Sequence, residues 1–226
     1  MNKTTQSIID RVQFITKDYS AVRWTMKEMS DWINDAQTQI AQLVPPSASQ
    51  YMVLTLAEGA RQDLRVIDPD TRWVRLMELL CNVNTTSGVD KPTGATIRLV
   101  SRPILDSAFP SWRSVTPTAR AVAEYAMDAG NEFVFDVNPP VVAGTKVYAQ
   151  ASVIPAPVAV LNSGKTALDD PNELFGLPDG YDIAAVDYVV FRAFNKNAND
   201  QTYAAQASAH LQLFQAALGG QAKAAS

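Results

Sequence analysis

The chain has one cysteine and one histidine among its 226 residues. Cys81 therefore has no internal disulfide partner, and His210 alone excludes any site that needs two histidines from one chain. Runs of Lys or Arg are missing as well. The balance of 19 basic against 23 acidic residues gives a formal charge of −4, without the basic footprint that holds phosphate backbones. No segment reaches the ~18 apolar residues that a membrane span needs, and "MNKTTQSIIDRVQF" turns polar before an apolar core of secretory length develops. The expectation is a chain folded in a reducing cytoplasm. What remains is globular in character, 47% apolar and 19% charged, and long enough to bury a substantial core in one domain or a domain with a lobe.

The hydropathy period divides the chain. A first helix is predicted over about Thr4 to Lys17, where Ile8, Ile9, Val12 and Ile15 recur at spacings of three and four. A second opens at Thr25, which with Glu28 makes the Thr-x-x-Glu relation that satisfies two free N-terminal donors reciprocally. Met29, Ile33, Ala36 and Ile40 line its stripe with Trp32 beside them, and Val44-Pro45-Pro46 ends it. From about Gln50 to Val160 the period falls to two. Met52, Leu54 and Leu56 share one face; so do Phe133, Phe135 and Val137, and Val147, Ala149, Ala151 and Val153, each predicted as a strand wet on its other side. The segment "RWVRLMELLCNVN", residues 72–84, fits either period and is read as strand because β segments flank it. "IRLVSRPILDSAFPSW" should leave a strand near Val100 and make a short helical turn or loop before Pro110.

Two helices then return. In one, over about Tyr181 to Asn195, Ile183, Val186, Val190 and Phe194 form a stripe while Tyr188 and Phe191 point elsewhere, so two sides want cover. The last helix, capped by Asn199 or Asp200, carries Tyr203, Ala207, Leu211, Phe214 and Leu218 and should end at Gly219 and Gly220. The predicted class is α+β. Segments 1–48 and 171–220 form an antiparallel helical bundle, 49–160 an inserted antiparallel β domain (a small barrel or sandwich), 161–170 a linker and 221–226 a flexible tail.

Motifs that suggest chemistry are weak. Gly164-Lys165-Thr166 lacks the glycine five positions earlier, where Ala159 stands, and Pro171 would break the helix a phosphate loop requires, so a surface turn is expected. His210 lies one residue off an apolar stripe and reads as a boundary residue. Cys81 has nothing around it to depress a thiol pKa and reads as structural. The pairs Asp169-Asp170, Asp68 with Asp70, and Asp31 with Asp35 read as solvated surface, leaving only a weak case for a polysaccharide hydrolase. "DPDT" at 68–71 lacks the glycine and distal glutamate of a calcium loop and reads as a turn. No catalytic, cofactor-binding or metal-binding residue emerges. Of the four tryptophans, Trp32 is expected in the core and Trp24 beside the helix start, with Trp73 and Trp112 at strand or loop edges.

Five stretches carry a resemblance: "RWTMKEMSDWINDAQTQI" at 23–40, "EGARQDL" at 58–64, "SRPILDSAFPSW" at 101–112, "FVFDVNPP" at 133–140 and "DYVVFRAFNKNAND" at 187–200. In this order and spacing the chain resembles the head-to-tail adaptors, or connectors, of tailed bacteriophages. It departs from them at Arg65, where they often have Pro, and at Cys81-Asn82, where they have an Arg-Asn pair. The resemblance implies a structural, non-enzymatic virion protein of the neck, assembled in the host cytoplasm. About twelve copies would form a ring beneath the portal, extend the DNA channel and dock tail or nozzle proteins. DNA would pass without sequence-specific binding, and no cofactor or membrane would be involved. It also implies portal gripping by the C-terminal segment, naming Leu211, Phe214 and Leu218, whose stripe serves equally as intrachain core, the favoured reading for Phe214; Tyr188, Phe191 and Trp112 join them as candidate subunit contacts. A heterologous ring needs two different sticky surfaces, and an all-round apolar helix beside an amphipathic one is expected to leave apolar surface to spare. The rival readings are a tail-completion or stopper protein lower in the neck, and a carboxylate-dependent hydrolase.

Overall fold

Capping side chains set the N-terminal helices. Thr4 accepts a hydrogen bond from the Ser7 amide and starts α1 (Thr5–Thr16), which ends where Lys17 turns left-handed at φ 58°. Thr25 and Glu28 close the reciprocal box and start α2 (Met26–Leu43). A 3₁₀ turn at Pro45–Ala48 follows. Next come β1 (Ser49–Thr55), β2 (Gly59–Asp63), the one-turn α3 (Leu64–Ile67), β3 (Trp73–Asn82), β4 (Asn84–Thr86), β5 (Val89–Lys91), β6 (Arg98–Leu99), α4 (Arg102–Ala108), β7 (Glu124–Met127), β8 (Val134–Val141) and β9 (Lys146–Val153). Two long helices, α5 (Tyr181–Asn195) and α6 (Gln201–Ala224), complete the order. The computed structural model describes residues 3–158, 173–196 and 200–224, the stretch 221–224 by its backbone. Gly164-Lys165-Thr166, Asp169-Asp170, Asn199 and the 161–170 linker lie outside the described residues. The chain divides into two compact units, Met1–Ala48 with Ile154–Ser226, and Ser49–Val153. It is an α+β protein whose sheets are built mainly from antiparallel strand pairs.

In the helical unit α5 packs against α1, α2 and α6. Ile8, Ile9 and Val12 of α1 and Met29, Ile33, Ala36 and Ile40 of α2 are buried, as their spacing predicts. Most of α5 is buried too: Ala184, Ala185, Val186, Tyr188, Val189, Val190, Ala193 and Phe194 all lie inside. This corrects the expectation of surplus apolar surface on α5, because three neighbouring helices consume nearly all of it. Ile183 moves the other way. Expected on the buried stripe, it is 58% exposed. Trp24 is buried, its Nε1 donating to the Ala193 carbonyl at 2.9 Å and its ring meeting Phe194 edge-on. Asp200 caps α6 by accepting from the Thr202 amide. α6 does not stop at Gly219 and Gly220 but continues to Ala224. Neither glycine adopts the left-handed conformation of a C-cap. Each costs ~1 kcal/mol relative to alanine in a helix interior, which the following Gln221-Ala222-Lys223 run of helix formers tolerates.

The β unit holds a three-stranded sheet in the order β1-β9-β3, a four-stranded sheet in the order β2-β8-β7-β6, and the β4-β5 pair. Leu54, Leu76, Leu79, Val147, Ala149 and Ala151 of the first and Tyr125, Phe135, Val137 and Val141 of the second share one apolar cluster. β3 explains its own double period. Its register against β9 shifts at three places, and each bulge moves the buried side, so Trp73, Leu76, Leu79 and Asn82 are buried at a spacing of three. Two expectations fail here. β6 pairs with β7 in parallel, so the insert is not purely antiparallel. Nor is β8 wet on one side: Leu105 of α4 and Trp112 cover its outer face together with Ala60 and Ala126, and Val134 and Asp136 are buried.

Candidate interaction surfaces

The described groups singled out from the sequence are divided between the two units, Asp31, Asp35 and His210 in one and Asp68, Asp70 and Cys81 in the other. No group of three His, Cys, Asp or Glu side chains among the described residues could hold a metal ion. The described carboxylates singled out from the sequence are largely engaged elsewhere. Asp31 pairs with Lys27 at 2.7 Å and Asp35 with Arg192 at 3.2 Å. Asp68 closes its own turn by accepting from the Asp70 and Thr71 amides and the Thr71 hydroxyl, bonds that hold its carboxyl below the usual range. Cys81 lies half-buried in β3. His210 faces Asp187, Nδ1 to Oδ1 at 2.8 Å, a polar contact between α5 and α6 that spacing alone did not reveal. No helix of the described residues is long and apolar enough to cross a membrane.

The helical unit instead leaves an apolar groove of about 440 Å³ along α1 and α5, floored by Phe14, Ile15, Ile183 and Val186 and rimmed by Asp10, Arg11 and Asp187. Phe14 is 70% exposed. Arg11 is committed at 2.9 Å to the buried Asp182, so the rim is net acidic. The groove exists because Phe14 and Ile183 stand on the sides of their helices that no described helix covers. Ile15 gave half of the signal as part of the first apolar stripe; Ile183 was legible only as a residue to be buried.

The candidate contact residues divide by exposure. Tyr188, Phe214 and Leu218 are buried within the chain, the Tyr188 ring 5.2 Å from Phe214 and 5.9 Å from Phe191. Leu211 and Phe191 are half-buried, and Leu213 beside them is 53% exposed. Trp112 is buried in the β unit, donating to Asp106 at 3.0 Å with the Arg113 guanidinium over its ring.

The β unit has its own polar centre. Pro103 starts α4, whose Leu105 anchors it to the sheet, and this lays Arg102 over Asp136 at 2.6 Å and Asp128 at 3.2 Å. Asp136 is 1% exposed, and Arg113 approaches it at 3.8 Å. Burial works against the Arg102 charge, but the two carboxylates outweigh it and raise its pKa above the ordinary arginine value. The Gly130 amide, then Arg102, hold Asp128 below the usual carboxylate range. Sequence spacing missed this cluster because residues 102 and 136 meet only through the fold. A second apolar groove, of about 390 Å³, lies beside it between Phe109, Trp112, Val115 and Pro139-Pro140.

Among the described residues, the features that stand out are two apolar grooves and a buried cluster of arginine and aspartate. No curated protein matches the chain. The family model described as SU10 adaptor protein matches residues 3–226. That span covers every element described above, and the chain belongs to the SU10 adaptor protein family, a family of bacteriophage structural adaptors.

Proposed function

We propose that the protein is a head-to-tail adaptor of the virion neck. About twelve copies form a ring beneath the portal, prolong the DNA channel and dock tail or nozzle components, with no bond made or broken. Segments 1–48 and 171–220 act as a helical bundle, and the 49–160 insert as a small barrel or sandwich. The family match over nearly the whole chain carries the reading. The groove floored by Phe14 and Ile183 supports it as an apolar surface left open to other protein.

Within the candidate contact set, Leu211 and Phe191, with the neighbouring Leu213, keep the exposure a partner needs. Tyr188, Phe214, Leu218 and Trp112 would act by holding the helices and α4 in shape. The engaged state of Asp31, Asp35 and Asp68 weighs against the hydrolase reading. Mixing the purified protein with its cognate portal and measuring mass tests the proposal. A small species that becomes a ring of defined stoichiometry is expected; indifference to the portal, with binding to a lower tier of the neck, would replace it by the stopper reading.

A further inference from the structure

β1 is the one edge strand among those described that combines length with a complete lack of the usual protection. β2 carries Arg61 and Asp63 and a register break; β3 is bulged at three places and carries Arg75 and Glu78; β6 has two residues, one of them Arg98. β1, "SQYMVLT", has seven residues with no charge, no proline and an unbroken register against β9. Such an edge is a template for another strand unless something covers it.

The phase of the ladder says which groups are offered. Leu56 bonds Thr145 across the pair, so Met52 and Leu54 turn their amides toward β9 and their side chains toward the core. Tyr51, Val53 and Thr55 then turn N–H and C=O away from β9, and among the described residues none of these groups meets a backbone partner. Their side chains lie on the solvent face. Tyr51 is 61% exposed and stacks on Tyr148 of β9, with 6.0 Å between ring centroids and 16° between planes.

We propose that β1 pairs with β1 of a second copy, antiparallel about a two-fold axis at Met52, joining two three-stranded sheets into one. The occupant follows from self-complementarity. In this register each Tyr51 lies opposite Val53 of the second copy, both offering outward backbone groups, and an aromatic ring beside a β-branched side chain is a favourable cross-strand pair. Ser49 lies opposite Thr55, and no like charges meet because the strand has none. The interface is isologous and closes on itself as a dimer. It is therefore distinct from the ring of the proposed function and does not depend on that reading.

Sedimentation of the full chain across a concentration series tests it. The wild type should show a monomer–dimer equilibrium. Val53→Pro removes an outward N–H and leaves the β9 ladder whole, so it should raise the dissociation constant on the order of thirtyfold or more, with an unchanged circular dichroism spectrum. Val53→Lys supplies a second variant with the same expected direction. Under oxidation, Met52→Cys in a Cys81→Ser background should cross-link two copies, and Gln50→Cys in the same background should not. A wild type that stays monomeric throughout, or a dimer equally strong in folded Val53→Pro, overturns the proposal. Whether Val53→Pro still assembles on the portal is read separately and bears only on the neck function.

Discussion

The two units each bury one element on both sides, and they differ in where along it they place a buried charge. α5 is packed by α1, α2 and α6 and answers with alanine, valine and aromatic side chains. β8 is packed by the shared apolar cluster on one face and by α4 and Trp112 on the other, yet it keeps Asp136 at its middle. The helical unit confines buried charge to the first turn of its central element, where Asp182 pairs with the more exposed Arg11, whereas the β unit encloses a carboxylate at mid-strand and neutralises it with Arg102 and Arg113. An apolar centre tolerates small changes in its neighbours. A buried carboxylate makes the position of α4 conditional on one guanidinium.

That contrast can be broken most forcefully at Arg102. Arg102→Met leaves Asp136 buried with a distant cation, so urea unfolding should show a loss of ~3 kcal/mol or more, and adding Asp136→Val should recover most of it, because an apolar replacement for a buried ion pair is often neutral or better. The same treatment of α5 should be milder. Val189→Ala, at a fully buried position, should cost about 2 kcal/mol in the same assay through lost burial and a small cavity.

Thr25→Ala should cost ~1 kcal/mol at pH 7 by opening the α2 cap. Burial pushes the Glu28 carboxyl up, but hydrogen bonds from Lys196 and Thr25 outweigh it and lower its pKa below 4.5. A depressed carboxylate contributes stability above its unfolded value and loses it as pH falls through its folded one. The Glu28 share of the cap should therefore fade below about pH 4.5 in a pH series of thermal melts. The smallest effect belongs to Ile183→Ala, on the open groove. Stability should shift by no more than ~0.5 kcal/mol, in contrast to Val189 on the same helix, while assembly on the portal measured by mass should weaken.

Much of the architecture was legible because it rests on local rules. Thr4, Thr25 and Asp200 sit where helices start, since a free amide two or three residues on must be satisfied whatever the tertiary context. Alternation marked β1, β8 and β9 because side chains of a strand must alternate in any sheet. Of the candidate surfaces, little was legible. The buried stripes were readable, but the groove depends on which sides of α1 and α5 remain uncovered, and periodicity reports only that a side is apolar. Residues 72–84 show the same limit from within one strand, where bulges against β9 turned a period of two into an apparent period of three.

By itself, then, the order of residues determined where helices begin, which faces are apolar and that the class is α+β, because those follow from interactions within a few residues. Tertiary structure alone decided that α5 has almost no surplus, that Asp136 is inside with Arg102, that α6 passes through two glycines and that β1 keeps an edge that no described strand covers. Each of these depends on which distant segment arrives to cover a group. Hydropathy along the chain cannot encode that, because the same side chain serves a covered face and an open one.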